Sequence, residues 1–410
     1  MNIPGACYQM DAALAGHFTH LSPAQRRGLA WWVYGTMLAE SACQTKVVTA
    51  LSSCGKVQTI RQHLREWLYD GADKKVRCHA EIEVTHCFAP LLGWILSLWQ
   101  GTDLALAVDV TYQGDRFLVL VVSVLYRGRA IPVAWQVRGA TQKGRWMPEI
   151  CALLDLLAPA IPATMRVVVL ADCGLCSQRL YRAICAHGWH PILRLQASST
   201  FRPAGWRRRH PARSFVTRPS TAWVGQGRAF SRDYLLGTLL VVWGEEAEEP
   251  WVLLTDLAPQ AVSVWWYALR FWIELGFKAL KSAGWHWERT RRTDQTRAAR
   301  HWLVMAVATT WVLAHGTRVE DAERVAMPPP RLRTPPPAPV PLPGQATIER
   351  ALGVFQRGLV SAREHLLSGW LWRRLWLAPE PWPLPPATLS VAYHAPLLPE
   401  PPPPGQEAAA

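Results

Sequence analysis

The chain has 410 residues, of which 50% are hydrophobic and 18% are charged. This length and composition predict a large core, divided among two or three packed units, and exclude an acid-rich disordered protein. The 44 Lys and Arg residues against 30 Asp and Glu give a net charge of +14. Such a surplus favours a polyanionic partner, without choosing between nucleic acid and an anionic membrane.

Three features of the sequence bear on membrane insertion and on the cellular compartment. The longest apolar stretch, residues 302–314, is too short to span a bilayer, so we expect no integral membrane protein. The first residues lack the charged and long apolar regions of a secretory signal. The nine cysteines are an odd number and are scattered. We therefore expect reduced thiols in a cytoplasmic protein.

Residues 1–98 are predicted to be helical. A helix begins near Pro23, and a second helical unit runs over residues 41–68 with a break at 52–55. Two short helices around that break are compatible with a DNA-binding helix-turn-helix, and equally with a plain helical hairpin whose Lys and Arg side chains are solvated.

From residue 104 onward, apolar runs rich in β-branched residues alternate with helical patterns. The predicted order is three strands, a helix, a strand, a helix and a strand, over residues 104–109, 117–126, 130–137, 146–157, 166–172, 177–187 and 191–195. This order is typical of an α/β fold with a mixed sheet, and it resembles an RNase H-like core.

A basic, β-rich insertion is predicted over residues 197–258. Six arginines occur between residues 202 and 218 with no acid among them, and a hairpin follows over 234–243 and 251–255. We expect Arg207, Arg208 and Arg209 to contact DNA phosphates, which would make binding steeply dependent on salt. The alternative is a solvated loop.

Two long helices are predicted over residues 262–283 and 296–315, and the sequence beyond residue 327 is rich in proline. Residues 328–343 contain nine prolines and 379–404 contain eleven, as in extended or disordered linkers. The predicted divisions are a helical N-terminal region (1–98), a core in two parts (99–196 and 259–327) around the insertion (197–258), a Pro-rich linker (328–345), a C-terminal helical region (346–377) and a Pro-rich tail (378–410).

Two acids directly follow apolar strands of the predicted core. Asp109 ends the first run and Asp172 ends the fourth. Ligands of open α/β sheets bind at the rim where strands end, and Mg²⁺ prefers carboxylate oxygens. The two acids are therefore candidate metal ligands, and the alternative is that each caps a turn.

A narrow polar stripe marks the helix predicted over residues 262–283. On a helical wheel, Tyr267, Arg270, Glu274 and Lys281 fall within about 60° of arc, and the rest of the helix is mostly apolar. This pattern indicates a buried helix that faces a polar cleft. The alternative is a solvated stripe on an amphipathic helix.

The spacing of those four residues, Y-x2-R-x3-E-x6-K, resembles the signature of DDE transposases of cut-and-paste bacterial insertion sequences, the "insertion sequence four" type. The segments around Asp109 and Asp172 are similar to the strands that carry the first and second acids of that family. The resemblance spans about residues 104–315.

The resemblance implies a DNA transposase in which Asp109, Asp172 and Glu274 are catalytic and bind two Mg²⁺ or Mn²⁺ ions. It assigns Tyr267, Arg270 and Lys281 to the DNA near the cleaved end. It also implies a bacterial cytoplasmic protein, associated with the nucleoid when DNA-bound, that acts on the element's terminal inverted repeats and on target DNA.

Further alternatives concern activity and assembly. A related metal-dependent nuclease, or an inactive or domesticated transposase-derived DNA-binding protein, would keep the same core. The family resemblance also implies a homodimer in the paired-end complex. The C-terminal helical region is a candidate dimer element, and intramolecular packing of the same apolar residues is the alternative: Leu352, Phe355, Leu359, Leu366 and Trp370.

Overall fold

The structure is a computed structural model that describes residues 4–74, 80–142, 144, 146–196, 198–231, 233–326, 352–369 and 375–394. The predicted linker 328–345 and Trp370 lie outside these residues. No helix within the described ranges is long and apolar enough to cross a membrane.

The N-terminal region is helical, as predicted. Its five α-helices are α1 Gly5–Ala15, α2 Pro23–Ala39, α3 Gln44–Ala50, α4 Val57–Trp67 and α5 Phe88–Leu98. Ser22 and Gln25 form a reciprocal capping box at the start of α2, which explains why the helix begins at Pro23. On α4, Ile60, Leu64 and Trp67 are buried, whereas Arg61 and Arg65 are exposed.

The central core follows the predicted order of strands and helices. Its elements are β1 Asp103–Gln113, β2 Phe117–Tyr126, β3 Arg129–Gly139, α6 Trp146–Leu157, β4 Arg166–Ala171, α7 Gln178–Ala186 and β5 His190–Arg194. The strand order is β3-β2-β1-β4-β5, with β1, β2 and β3 antiparallel and β1, β4 and β5 parallel. This mixed sheet with flanking helices is RNase H-like, which confirms the predicted fold class.

The insertion extends the same sheet. Its strands are β6 Thr200–Pro203, β7 His210–Pro211, β8 Thr221–Ala229, β9 Leu235–Trp243 and β10 Trp251–Thr255. Strand β10 pairs antiparallel with β5, and β9, β8, β6 and β7 continue outward. The basic segment is thereby attached to the core through β5, the strand next to β4.

The C-terminal elements are α8 Phe271–Leu280, α9 Gln295–Ala326, α10 Val354–Ser368 and β11 Ser390–His394. Helix α10 packs along α9, and two residues of the candidate dimer element, Phe355 and Leu366, are buried in this chain's own core. Leu359 is partly buried there, whereas Leu352 is 51% exposed.

The described part of the Pro-rich tail differs from the expected linker. Trp382 packs edge-on against Trp266, and β11 pairs in parallel with β8. The high proline content of residues 379–404 as a whole led to the prediction of a linker. The five residues of this strand, Ser390 to His394, contain no proline. The tail therefore contacts both the segment just before α8 and the insertion.

One buried arginine attaches the N-terminal helices to α9. The side chain of Arg300 is 1% exposed and donates to the carbonyl oxygens of Leu68 (2.8 Å) and Ile82 (2.9 Å). A second Nη1 hydrogen bond reaches Asp70 at 2.7 Å. The hydrophobic core correspondingly runs from α1 and α2 into the sheet without interruption.

Candidate active site

The register of β1 and β4 brings the two strand acids together. The parallel pairing of these strands ends at Val108 opposite Ala171, so Asp109 and Asp172 are the next residues along each strand. Asp172 directly follows β4, as predicted. Strand β1 was expected to end at Asp109, but it continues to Gln113 because it remains paired with β2.

Each of these carboxylates is oriented by a backbone N–H. Val110 donates to Oδ1 of Asp109, and Cys173 donates to Oδ1 of Asp172, both at 2.8 Å. The Asp172 turn is closed by a hydrogen bond from the N–H of Leu175 to the Asp172 carbonyl at 3.0 Å. The two acids are thus fixed at one rim of the sheet.

The segment with the Y-R-E-K spacing is not one continuous α-helix, which corrects the sequence prediction. Residues Trp266–Arg270 form a 3₁₀ turn, and the α-helix begins only at Phe271. Helix α8 buries Ile273, Gly276 and Ala279. A Cβ on Gly276 would lie 2.7 Å from the Cβ of Ala130, so the absence of a side chain lets α8 approach the sheet closely.

Arg270 is the centre of the site. Its Nη1 lies 2.9 Å from Oδ2 of Asp109, and its Nη2 lies 3.2 Å from Oδ2 of Asp172 and 3.6 Å from Oε1 of Glu274. Its Nε donates to the Tyr267 hydroxyl at 3.1 Å, and that hydroxyl donates to Oδ1 of Asp172 at 3.4 Å. Five of the six residues singled out by the sequence therefore meet at one point.

Burial and charge act differently on the two aspartates. Burial raises the pKa of Asp109, although Arg270 and the Val110 N–H oppose that effect. Burial also acts on Asp172, but the Cys173 N–H, Arg270 and Arg194 together bring its pKa below the ordinary value. Burial raises the pKa of Tyr267, so its hydroxyl remains protonated and serves as a hydrogen-bond donor.

Lys281 lies apart from this cluster. Helix α8 ends at Leu280, and Lys281 follows it in a non-helical conformation (φ −97°, ψ −129°). Burial lowers the pKa of Lys281, and the nearby carboxylate of Glu288 partly opposes that shift. Three residues of the expected polar stripe therefore lie at or before the α-helix, and Lys281 lies just beyond its end.

Arg194, at the end of β5, is a site residue that the sequence analysis missed. Its guanidinium lies 3.7 Å from Oδ1 of Asp172 and 3.0 Å from Oε1 of Glu249 in the acidic turn between β9 and β10. No motif marks Arg194 in the sequence. The available signal was the position of β5 beside β4, which follows only from the order of strands in the sheet.

The three arginines predicted to bind DNA phosphates differ in their surroundings. Arg207 and Arg208 are exposed. Arg209 is half-buried, and its guanidinium donates to the backbone carbonyls of Thr200, Arg228 and Phe230. Of these three arginines, Arg207 and Arg208 are therefore exposed to solvent, whereas Arg209 stabilises the insertion itself.

The chemistry of the donor set suits a hard divalent cation. Asp109, Asp172 and Glu274 supply carboxylate oxygens, the ligands that Mg²⁺ prefers. Within the described ranges, no three His, Cys, Asp or Glu side chains are close enough together to bind one metal ion. The guanidinium of Arg270 lies among these three acids. The arrangement gathers negative charge at an open rim and neutralises it with arginine.

Comparison with known proteins agrees with this geometry. Residues 111–311 match the family model of the transposase DDE domain. The matched segment contains Asp172, Arg270 and Glu274, and it begins two residues after Asp109. No curated protein matches the chain in sequence.

Among solved structures, the chain is similar to a piggyBac transposase in a cryo-EM synaptic complex with hairpin DNA. The two chains are 10% identical, the alignment covers 80% of each chain, and the TM-score is 0.33. That score is too low to establish a common fold. The family match is therefore the comparison that bears on function: residues 111–311 are similar to the transposase DDE domain.

Proposed function

We propose that the chain is a DNA transposase of the "insertion sequence four" type, which cuts an insertion element at its ends and joins it to target DNA. The observation that carries this proposal is the convergence of Asp109, Asp172 and Glu274 on one guanidinium at the rim of an RNase H-like sheet. The match of residues 111–311 to the transposase DDE domain supports it.

In the proposed reaction, the three carboxylates bind two Mg²⁺ or Mn²⁺ ions. When bound, these ions supply Lewis acidity to an in-line displacement at phosphorus. The backbone N–H groups of Val110 and Cys173 fix one oxygen of each aspartate and leave the other directed towards the shared site. Glu274 is the most exposed of the three acids, with 46% of its side chain accessible. DNA would therefore approach from the side of Glu274.

Positive groups around the acids are suited to the phosphodiester backbone. Arg270 has the planar fork that matches phosphate, and Tyr267 presents a protonated hydroxyl. Lys281 contributes a point charge just beyond the helix end. The exposed Arg207 and Arg208 lie on the insertion, which the sheet connects to β4 through β5. We propose that this basic surface binds the element ends, in a homodimer that pairs two of them.

The decisive experiment uses the purified protein, a labelled duplex carrying the ends of its own element, and Mg²⁺, Mn²⁺ or EDTA. We expect metal-dependent nicking at the element boundary, and its loss in Asp109→Asn, Asp172→Asn and Glu274→Gln. Joining of the cleaved end to a second duplex then separates a transposase from a metal-dependent nuclease. Salt-sensitive binding without cleavage in either metal would contradict catalysis and favour a transposase-derived binding protein.

A further inference from the structure

Arg270 contacts all three acids of the site. Its side chain is 14% exposed, whereas Asp109, Asp172 and Glu274 are 20%, 32% and 46% exposed. All three guanidinium nitrogens are engaged, because Nε donates to Tyr267 while Nη1 and Nη2 face the carboxylates. The Arg270 side chain is therefore less exposed than any of the three acids that it contacts.

The charges of the cluster do not balance. Three carboxylates face Arg270, and the second cation, Arg194, contacts only Asp172 and shares its guanidinium with Glu249. The single positive charge of Arg270 thus neutralises one of the three negative charges that it faces. The site retains negative charge on oxygens directed at one point, which is the condition that attracts a further cation.

A divalent cation and the guanidinium require the same space. Mg²⁺ binds carboxylate oxygens at about 2.0–2.1 Å, so an ion shared by two of these acids would lie between them. Nη1 and Nη2 of Arg270 already lie there, at 2.9 and 3.2 Å from the outer oxygens of Asp109 and Asp172. Both cations cannot occupy that position.

From this geometry we infer that Arg270 is the resident counter-ion of the acidic cluster and that divalent metal ions compete with it for the carboxylate oxygens of Asp109 and Asp172. Arg270 is then a positioning residue that keeps the three acids together in the metal-free protein. Metal entry releases its guanidinium, which remains tethered beside the site and becomes free for a phosphate. The inference rests on the proposed function only in taking a divalent cation as the ligand of the site.

The competition is tested by titrating the full-length protein with Mn²⁺ in the absence of DNA. The electron paramagnetic resonance signal of free Mn²⁺ measures how much of the metal remains unbound. If Arg270 competes with the metal, Arg270→Gln binds Mn²⁺ more tightly, by about tenfold, the scale of one coupling interaction. Arg270→Lys retains the charge without the fork and should give an intermediate affinity.

Arg166→Gln is the matched control. Arg166 forms a comparable two-nitrogen contact with Asp103, at 2.9 Å for both pairs, at the opposite end of β1 and β4. Its replacement should leave Mn²⁺ affinity unchanged. An Arg270→Gln protein that is folded by circular dichroism and binds Mn²⁺ as weakly as the wild type, or more weakly, would overturn the inference.

A measurement on the wild-type protein covers the case in which Arg270→Gln does not fold. The Nε–Hε signal of Arg270, identified by its absence from Arg270→Lys, is followed by nuclear magnetic resonance during titration with diamagnetic Mg²⁺. Loss of the hydrogen bond from Nε of Arg270 to the Tyr267 hydroxyl should move the chemical shift of this signal towards that of a solvated arginine. An unchanged signal at saturating Mg²⁺ would contradict competition.

These tests are separable from the test of the proposed function. Tighter Mn²⁺ binding by Arg270→Gln, together with no cleavage of element ends by the wild type, would support the counter-ion and overturn the transposase activity. Metal-dependent cleavage by the wild type with weaker Mn²⁺ binding by Arg270→Gln would support catalysis and overturn the counter-ion.

Discussion

Arg127 and Arg270 each contact two or more acids, and the two clusters differ in solvent access and in charge balance. Arg127 lies 3.1 Å from Glu320 and 2.9 Å from Asp321, and its Nε donates to the Ala378 carbonyl at 2.7 Å. Its side chain is only 2% exposed. Arg270 faces three acids instead of two, at an open rim of the sheet.

The Arg127 cluster is sealed by the C-terminal segment. The indole N–H of Trp376 donates to Oδ2 of Asp321 at 2.8 Å, and Tyr126 shares the Ala378 carbonyl. Arg127 also adopts a positive φ of 42° in the β2–β3 turn, a conformation that the surrounding contacts stabilise. The ion pairs of the buried Arg127 thus stabilise the fold. At Arg270 the acids outnumber the cation at an open rim of the sheet, so their oxygens are available to bind a ligand.

The largest expected difference between the clusters is catalytic. Glu274→Gln removes the third carboxylate, so we expect DNA cleavage to fall by roughly a thousandfold or more, the scale of losing one member of a catalytic set. DNA binding should remain largely intact because the basic surfaces are unchanged. Rates of nicking and a filter-binding isotherm measure the two effects.

Glu320→Gln is the matched control, since it alters the acid of the sealed cluster in the same way. It should lower stability without lowering the cleavage rate of the folded protein. Normal cleavage by Glu274→Gln would remove Glu274 from the mechanism.

The second difference is in stability. Arg127→Met leaves the buried Glu320 and the partly buried Asp321 without this arginine, and we expect the free energy of unfolding to fall by about 3–5 kcal/mol. Arg270→Met leaves partly exposed acids that solvent screens, so the loss should be about 1 kcal/mol. Urea unfolding in EDTA compares the two variants, and equal losses would show that access does not separate the clusters.

The elements of the two clusters also differ in how far the sequence predicts them. Apolar runs locate β1 and β4, and the acids that follow these runs are the ones that meet. The Y-R-E-K spacing singles out Tyr267, Arg270 and Glu274, which do lie in contact, although residues 266–270 form a 3₁₀ turn. Tyr267 and Arg270 are three residues apart, which places them on one side of a 3₁₀ turn, and Arg270 and Glu274 are four apart, which places them on one side of an α-helix. The error in helix type therefore did not disturb the site.

Contacts between distant segments were beyond sequence reasoning. Arg194 and the Ala378 carbonyl become visible only when the sheet order and the path of the tail are known. Lys281 was expected within the helix because the local sequence continues the helical pattern, but the helix ends one residue earlier, at Leu280. Strand β11 pairs with β8, more than 160 residues earlier, and no local pattern specifies such a partner.

The distinction between structural and available arginines extends to the basic segment. Arg207→Gln combined with Arg208→Gln should reduce the slope of log K for DNA binding against log salt by about 1.8, or about 0.9 for each lost phosphate contact. Stability should be unchanged because both side chains are exposed. Binding isotherms at several salt concentrations measure the slope.

Arg209→Gln provides the contrast within this segment. It removes donors to three backbone carbonyls, so we expect a loss of stability in the insertion. A slope that is unaffected by the double replacement would exclude Arg207 and Arg208 from the DNA interface.

The smallest expected effect is a difference between Asp109 and Asp172 of the Arg270 cluster in how the stability of the protein depends on pH. The pKa of Asp109 is raised in the folded protein, so its ionised form at neutral pH opposes folding, and stability falls as the pH rises through its folded-state pKa. The pKa of Asp172 is lowered, so its ionised form contributes stability above the unfolded-state pKa, which is lost as the pH falls through the folded-state pKa.

The two isosteric variants should therefore shift stability in opposite directions. At pH 7 in EDTA, Asp109→Asn should be as stable as the wild type or more stable, and Asp172→Asn should be less stable. Both differences should diminish in acid, where the wild-type carboxyls are themselves protonated. Urea midpoints across pH measure this, with Asp103→Asn as the control because Asp103 pairs with Arg166 at the opposite end of the strands. Destabilisation of equal size in both variants at pH 7 would mean that Arg270 stabilises the two carboxylates alike, and that burial does not distinguish Asp109 from Asp172.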